Sequence, residues 1–308
     1  MSRIGVLVMA YGGPDSLDDV PAYLQDIRGG RPTPAALVAE IRERYRRIGG
    51  GSPLRGITER QATALGRALR ARGVEATAVV GMRHWHPRIA AAVRRLAEQG
   101  VTEAVAVALA PHYSRRSVGA YQDQVRAAVA ELPAAPRFAF VSHFCDHPRF
   151  VAAVARDLLQ VRASLGDRTR ARVLFSAHSL PEAWVAGGDP YPEQLRASAQ
   201  EVATHAGLQP RQWRQCFQSA GARPGAWLGP SLEEELRGAA GAGVREVTVV
   251  PFGFVADHVE ILFDIDIELR ELGASLGATV TRTPSLGTDP ELIEVLADRV
   301  QEAAAELR

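Results

Sequence analysis

The chain has 308 residues, and its 36 basic and 35 acidic side chains leave a formal net charge of +1. That balance excludes the strong basic excess of a nucleic-acid-binding protein, and the length favours two domains of roughly 150 residues each. No apolar run approaches the roughly 18–20 residues that span a bilayer, and the sequence enters a strand-like run at once, so we expect a cytoplasmic protein without a transmembrane segment or signal peptide.

Strand-like and helical stretches alternate along the whole chain. The predicted strands are 4–9, 76–81, 104–110, 138–141, 172–177, 213–218, 246–254 and 278–282. The amphipathic stretches between them include 58–72, 87–99, 118–132, 149–165 and 193–206. This alternation predicts an α/β fold with parallel sheets covered on both faces. We expect two Rossmann-like domains, 1–145 and 146–308, each a four-stranded parallel sheet flanked by helices.

The two halves resemble each other at their first strands. Residues 6–14 (VLVMAYGGP) match 173–181 (VLFSAHSLP) as a buried strand, an alanine, one large polar ring and a turn that ends in proline. By this repeat Tyr11 and His178 occupy equivalent places, just past the carboxyl ends of two strands. Ligands of open parallel sheets bind at those ends, so we expect both rings to face one cleft. The alternative is that a histidine at a strand end is only a hydrogen-bonded structural residue.

A long insertion distinguishes the first half from the second. The first turn and the second strand are separated by about 60 residues in the first half and about 30 in the second, and such insertions at strand ends carry ligands in α/β folds. Residues 27–54 hold much of the surplus and are rich in arginine. We interpret this insertion as a ligand-binding element, and the alternative is a surface excursion.

Three carboxylates recur along the segment that follows the seventh predicted strand. Glu260, Asp264 and Glu268 are spaced four residues apart, so they share one face of a helix, and a slight unwinding would align them better. Such a stripe is usually a solvated face, but the isoleucines beside it favour a passage for a divalent cation. His178 and Glu260 together would form a mixed nitrogen–oxygen pair, suited to Fe²⁺ or to acid–base chemistry.

Other patterns exclude or weaken alternatives. All 36 basic residues are arginine, so no Schiff-base lysine or P-loop lysine exists. The two cysteines, Cys145 and Cys216, cannot form a disulfide framework or a four-thiolate iron–sulfur cluster within one chain. His84-Trp-His86 is more typical of a structural pair than of metal ligands. The run 143–147 (HFCDH) is interpreted as a helix start capped by Asp146 rather than as a metal site.

A series of motifs along the chain resembles one enzyme family. They are Met9-Ala-Tyr-Gly12, Ile27-Arg-Gly-Gly30, Arg44-Tyr45 with Ile48-Gly-Gly and Ser52-Pro-Leu54, Ala110-Pro-His-Tyr-Ser114, Ser176-Ala-His-Ser-Leu-Pro181, Trp227-Leu-Gly-Pro230 and Gly253-Phe-Val-Ala-Asp-His-Val-Glu260. Together they are similar to the motifs of the ferrochelatases, which insert Fe²⁺ into a porphyrin in haem synthesis. The resemblance runs from end to end of the chain.

The resemblance implies a role for each matching residue. It makes His178 and Glu260 the catalytic residues of the iron site, with Asp264 and Glu268 as an acidic relay behind them, and it places Tyr11 on the other face of the macrocycle. It also implies that five residues hold the edge and propionates of the porphyrin: Arg28, Arg44, Tyr45, Ser52 and Tyr121. Fe²⁺ is then a substrate, and no permanently bound cofactor is expected.

Within the family, the chain resembles the bacterial coproporphyrin III enzymes most, because 110–121 lacks the apolar lip expected of membrane-associated protoporphyrin enzymes. A porphyrin with four propionates needs more hydrogen-bond donors than one with two. The candidates for these donors are Arg28, Arg31, Arg42, Arg44, Arg46 and Arg47. The alternative for Arg42, Arg46 and Arg47 is the solvated face of an amphipathic helix. Arg83 stands where relatives are expected to have lysine, which leaves its part in metal delivery open.

Three alternatives stay open at this point. The chain could use protoporphyrin IX, it could be a cobalt chelatase, or it could be a tetrapyrrole carrier without catalysis. A monomer is expected because no apolar dimer face is evident in the sequence.

Overall fold

The computed structural model describes residues 3–164, 171–221 and 225–307. Its strands form two four-stranded parallel sheets. The first sheet contains β1 (Ile4–Ala10), β2 (Ala76–Met82), β3 (Glu103–Ala108) and β4 (Arg137–Val141). The second contains β5 (Ala171–His178), β6 (Trp213–Gln218), β7 (Glu246–Val250) and β8 (Thr279–Arg282).

Both sheets follow the same plan, because their strand orders are β2-β1-β3-β4 and β6-β5-β7-β8. The predicted fold class and the predicted repeat are therefore confirmed. β1 and β5 are the equivalent inner strands, and every residue from Gly5 to Ala10 is buried. Continuous apolar strands of this kind are typical of parallel sheets whose two faces are both covered.

Helices cover both faces of each sheet. Those of the first half are α1 (Val20–Ile27), α2 (Ala35–Arg47), α3 (Leu54–Ala71), α4 (Ile89–Glu98) and α5 (Val118–Ala130). Those that follow are α6 (Pro148–Ala163), α7 (Glu182–Val185), α8 (Tyr191–His205), α9 (Leu232–Gly241), α10 (Val259–Leu262), α11 (Arg270–Ser275) and α12 (Pro290–Ala305). Short 3-10 helices lie at Leu17–Asp19 and Pro210–Gln212, and a π-helix spans Asp264–Leu269. No helix among the described residues is long and apolar enough to cross a membrane.

One predicted strand is too long. The strand expected over 246–254 ends at Val250, because Pro251 has no N–H for the sheet and the chain then turns into a loop. That loop, residues 251–258, leads directly into α10. Position 165, predicted as the end of a helix, lies outside the described residues.

The two halves share one hydrophobic core. Val8 and Val105 from the first sheet belong to the same buried cluster as Val173 and Phe175 from the second. The last helix, α12, contributes Val295 to this cluster and packs against α3, β3 and β4 of the first half as well as against α6. The predicted division at residue 145 stays a prediction, and the helix nearest the end of the chain packs on both sides of it.

A buried carboxylate also joins the halves. Asp189, just before α8, accepts hydrogen bonds from Ser114 Oγ at 3.0 Å and from the Arg115 N–H at 2.8 Å, both in the first half. Its other oxygen accepts from the N–H of Tyr191 at 3.0 Å. Asp189 is only 7% exposed, so these three donors replace the water that the charge loses on burial.

Candidate active site

The carboxyl ends of the two sheets supply the candidate site. β5 ends at His178, and Tyr11 follows β1, so the two rings occupy the equivalent positions that the repeat predicts. The charge of Glu260, from the second half, raises the pKa values of Tyr45 and Tyr121 in the first half, in addition to the larger effect of their burial.

Two histidines flank the Glu260 carboxylate. His178 Nε2 lies 3.5 Å from Oε1, and His258 Nε2 lies 3.6 Å from Oε2. The side chains of His178 and Glu260 are 34% and 30% exposed, so a ligand can reach them. His258 is 16% exposed and lies behind the pair.

Backbone hydrogen bonds fix the orientation of this pair. His178 Nδ1 is hydrogen-bonded to the carbonyl oxygen of Ser179, so Nδ1 carries a hydrogen and Nε2 points to Glu260. Tyr191 donates its hydroxyl hydrogen to the carbonyl of His178 at 3.0 Å. Gln218 Nε2 donates to the carbonyl of Glu260 at 2.8 Å.

The loop before α10 packs directly against the end of β5. A Cβ built on Gly253 would lie 2.7 Å from the Cβ of Ala177 and 3.0 Å from its Cα, closer than real carbon atoms approach. Only glycine therefore allows this loop to approach the strand, and the close approach helps to bring Glu260 to His178.

The pKa values of the pair shift in opposite directions. Burial lowers the pKa of His178, but the charge and hydrogen bond of Glu260 outweigh it and raise that pKa to about 9. Burial raises the pKa of Glu260, and the charge and hydrogen bond of His178 outweigh this and hold it well below its usual range. The resting pair is therefore an imidazolium beside a carboxylate near neutral pH.

The carboxylate series continues from Glu260 along the π-helix. Glu268 N donates to the carbonyl of Phe263 at 2.9 Å, a bond that spans five residues and not four. The predicted unwinding is therefore present, because a π-helix has a wider turn than an α-helix. Glu268 is exposed, so the stripe leads from the His178–Glu260 pair to the surface.

The second carboxylate of this series has its own supports. Ser219 Oγ donates to Asp264 Oδ2 at 2.5 Å, and Arg44 Nη1 lies 3.6 Å from Oδ1. Ser219 has a φ of 58°, a left-handed conformation that non-glycine residues adopt rarely and mostly at functional sites. Burial and the charges of Glu260 and Glu268 together outweigh Ser219 and Arg44 and raise the pKa of Asp264 to about 6.

On the other side of the site, Tyr11 is 39% exposed and lies against His84, with ring centroids 4.7 Å apart. The guanidinium carbon of Arg83 lies 5.9 Å from the ring centroid of Tyr11 and 5.6 Å from that of Tyr121. Arg83 also donates to the carbonyl of Arg116 at 3.1 Å. Arg83 is thus held between two of the predicted porphyrin contacts.

Comparison with known proteins decides the family. A family model described as Ferrochelatase matches residues 3–304. The chain belongs to the ferrochelatase family. It is 43% identical to a ferrochelatase of Deinococcus radiodurans over 99% of this chain and 97% of that protein. It is 38% identical to the coproporphyrin III ferrochelatase of Geobacillus kaustophilus over 98% of this chain and 96% of that protein.

Solved structures support the fold alone. The sirohydrochlorin chelatase SirB from Bacillus subtilis subspecies spizizenii, in complex with cobalt, superposes with a TM-score of 0.60 at 15% identity and covers 99% of this chain.

Family membership makes the chain an enzyme that inserts a metal ion into a porphyrin in haem synthesis, so the alternative of a carrier without catalysis is wrong.

The structure spreads the predicted porphyrin contacts of this ferrochelatase over three environments. Tyr45 is only 2% exposed, in a core with Tyr23, and Tyr121 is 5% exposed. Ser52 packs against Gly13, where an added Cβ would lie 2.6 Å from the Ser52 Cβ. Arg44 projects from α2 and pairs with Glu40 at 3.0 Å besides Asp264. These assignments stay predictions.

The arginines of the insertion separate by partner. Four have acidic partners: Arg42 with Asp18, Arg44 with Glu40, Arg46 with Glu43, and Arg47 with Glu271. Arg28 Nε is buried and has no hydrogen-bond partner among the residues that the structure describes, and Arg31 Nε donates to the carbonyl of Arg28 at 2.9 Å. Within the described residues neither Arg28 nor Arg31 has a carboxylate within ion-pair distance.

Sequence reasoning gave no role to three residues that the structure brings to the site. His258 follows the motif aspartate directly and could have been found by its position beside Glu260. Gln218 and Ser219 stand at the end of β6, where strand-end polar residues again line the cleft. Their signal was weak, because neither residue type is a usual acid, base or metal ligand.

The weaker motifs have partners elsewhere in the fold. His84 Nδ1 lies 3.0 Å from Asp26 Oδ2, and burial together with the charge of Arg83 lowers the pKa of His84. The expectation that Asp146 caps α6 is wrong, because His147 is the capping residue and its Nδ1 accepts from the Arg149 N–H at 3.2 Å. Across residues 3–164, 171–221 and 225–307, no three metal-ligating side chains converge to hold a cation. His178 Nε2 and Glu260 Oε1 are two potential ligand atoms, fewer than the full shell of a divalent cation.

Proposed function

We propose that this ferrochelatase inserts Fe²⁺ into coproporphyrin III, with His178 and Glu260 as metal ligands and proton acceptors. The observation that carries the proposal is the His178–Glu260 pair, which offers one nitrogen and one oxygen ligand at the carboxyl ends of the sheets. An incomplete ligand set suits a cation that must leave for the porphyrin, because water and then pyrrole nitrogens can complete its coordination.

The charge state of the pair links metal entry to proton movement. Fe²⁺ binds a neutral imidazole, so the proton of His178 passes to Asp264 or to water when the cation arrives. Insertion then releases two pyrrole protons for each Fe²⁺ that enters the ring. Once the cation has left them for the ring, His178 and Glu260 each accept one of the two pyrrole protons, and Asp264, with a pKa of about 6, can accept a proton and release it near neutral pH.

The π-helix provides the route between the pair and the surface. Glu260, Asp264 and Glu268 lie along one face of α10 and the π-helix, and Glu268 is exposed. Oxygen ligands in series let a divalent cation or a proton move in short steps without full desolvation. In this proposal the three carboxylates form the relay, and no resident cofactor is needed.

The choice of coproporphyrin III rests on two observations. Relatives from several bacteria at 37–39% identity are named coproporphyrin III ferrochelatase, whereas those from Deinococcus radiodurans and Thermus thermophilus are named only ferrochelatase. Arg28 and Arg31 lie in the insertion and have no carboxylate partner among the described residues. A guanidinium binds a carboxylate through two parallel hydrogen bonds, so these two arginines suit the additional propionates.

The proposal is tested by anaerobic absorbance spectroscopy of the purified protein with Fe²⁺ and either coproporphyrin III or protoporphyrin IX. We expect metallation of coproporphyrin III with the higher kcat/KM. A preference for protoporphyrin IX would contradict the choice of substrate, and a preference for Co²⁺ with sirohydrochlorin would favour the cobalt chelatase instead.

The residue roles are tested by His178→Ala and Glu260→Gln. We expect His178→Ala to abolish insertion and leave porphyrin binding largely intact, because the imidazole contacts the cation and not the propionates. His205→Ala, at an exposed position on α8, is the matched control. Near-normal turnover in His178→Ala would contradict the assignment.

A further inference from the structure

Arg282, at the end of β8, makes an unusually complete set of contacts. Its side chain is 12% exposed. Nε lies 3.0 and 3.1 Å from the two carboxylate oxygens of Asp266, and Nη2 lies 2.9 Å from Oδ2 of the same residue. Nη2 also lies 3.2 Å from Asp257 Oδ1, and Nη1 donates to the carbonyl of Thr283 at 3.1 Å.

These contacts join the loop before α10 to the π-helix, the two parts of the segment around the relay carboxylates. Asp257 precedes α10, which carries Glu260, whereas Asp266 lies inside the π-helix between Asp264 and Glu268. One guanidinium therefore sets the spacing between the loop and the π-helix. A π-turn is rare and persists where its surroundings support it, and this side chain is such a support.

Arg282 also separates the acidic residues by charge. Five carboxylates lie within residues 257–268, and any of them could attract a divalent cation. Arg282 neutralises Asp257 and Asp266, which turn towards β8, so these two do not compete with the relay. Arg270 pairs with Asp266 at 2.9 Å as well, but it is 49% exposed and does not reach Asp257.

We infer that Arg282 is a positioning residue for the metal path: its fork to Asp257 and Asp266 holds the π-helix in the register that aligns Glu260, Asp264 and Glu268. This inference rests on the proposed role of those three carboxylates. Arg282 has no part in porphyrin binding, so its loss affects the use of the metal and not the affinity for the porphyrin.

The test measures two quantities separately in Arg282→Lys and Arg282→Met: kcat/KM for Fe²⁺ and the Kd for the porphyrin. Lysine keeps the charge but cannot bind two carboxylates through a fork, and methionine removes the charge at similar length. We expect kcat/KM for Fe²⁺ at saturating porphyrin to fall about 10- to 100-fold in Arg282→Met, and by less in Arg282→Lys, as for other residues that orient metal ligands. The porphyrin Kd, from fluorescence titration, should stay within about twofold, since no propionate contact is lost.

Arg270→Met is the matched control, because it removes the exposed ion pair to Asp266 and leaves the fork in place. We expect a loss of no more than about twofold there. If Arg282→Met does not fold, Asp266→Asn is the smaller change, because it removes the charge of one of the two carboxylates that Arg282 binds. It should likewise lower kcat/KM for Fe²⁺ without changing the porphyrin Kd.

Three outcomes would overturn the inference. The first is an unchanged kcat/KM for Fe²⁺ in the Arg282 variants, and the second is a loss of porphyrin affinity as large as the loss in kcat/KM for Fe²⁺. The third is a loss in kcat/KM for Fe²⁺ in Arg270→Met as large as in Arg282→Met. The assays use whichever porphyrin the wild-type enzyme metallates, so an error in the proposed substrate does not affect the result. Full activity in Glu260→Gln would instead count against the proposed function.

Discussion

Acidification from pH 7 to pH 5 should destabilise the fold through one buried histidine, His112. The residue is 2% exposed, and neither ring nitrogen has a hydrogen-bond partner in the part of the chain that the structure describes. Its ring packs edge-on against Phe252 and Tyr191, with centroids 5.1 and 6.4 Å away. Burial, with a smaller contribution from the charge of His143, lowers the pKa of His112 to about 3.

The sign and size of the effect follow from this pKa. The unfolded chain binds a proton at His112 near pH 6.5, whereas the folded chain does not until about pH 3. The stabilisation is therefore complete above pH 6.5 and is lost as the pH falls towards 3. One pH unit corresponds to about 1.4 kcal/mol, so the step from pH 7 to pH 5 costs about 2 kcal/mol of unfolding free energy.

The assay is urea unfolding of the wild type and of His112→Leu at both pH values. Leucine is close to histidine in volume and does not titrate, so the difference between the two proteins cancels the effects of all other titrating groups. We expect the wild type to lose about 2 kcal/mol relative to the variant between pH 7 and pH 5. A relative change below about 0.5 kcal/mol would refute the reasoning, because it would mean that folding leaves the imidazole free to take up its proton.

Two further predictions concern the junction of the halves and the support of His178. Asp189→Asn should lower the unfolding free energy by about 2 kcal/mol, because an amide N–H₂ then faces a backbone N–H. The assay is urea unfolding, with Glu182→Gln, at an exposed position, as the control. Equal stability of the two variants would contradict the prediction. Tyr191→Phe removes the hydroxyl that donates to the His178 carbonyl, and it should lower kcat by about tenfold with little change in the porphyrin Kd. An unchanged kcat in steady-state metallation assays would show that this hydrogen bond does not orient the imidazole.

The sequence predicted the architecture well because the core strands carry an unambiguous signal. A run such as 6–10 is apolar at every position, which a parallel sheet covered on both faces requires. The repeat then placed Tyr11 and His178 at equivalent strand ends without any distance information. The strand over 246–254 was extended too far because Phe252 and Phe254 continue the apolar pattern after Pro251 has already ended the sheet.

The site was predictable only in part, because side-chain partners depend on contacts between distant segments. The spacing of the three carboxylates indicated a shared face and even a slight unwinding, and the π-helix confirms the unwinding. Nothing local in the sequence showed that Ser219 bonds to Asp264 or that Arg282 holds Asp266, since each pair joins separate elements. The role of Arg44 beside the second carboxylate was hidden for the same reason.

The packing of α12 bears on how the protein is made. This helix is synthesised after every strand, yet it covers part of β3 and β4, which leave the ribosome much earlier. Until it emerges, the nascent first half exposes apolar surface that only the distant end of the chain can cover. Contacts between such remote segments form slowly, and exposed intermediates aggregate, so shortening the chain before residue 290 should yield an insoluble product rather than a smaller enzyme.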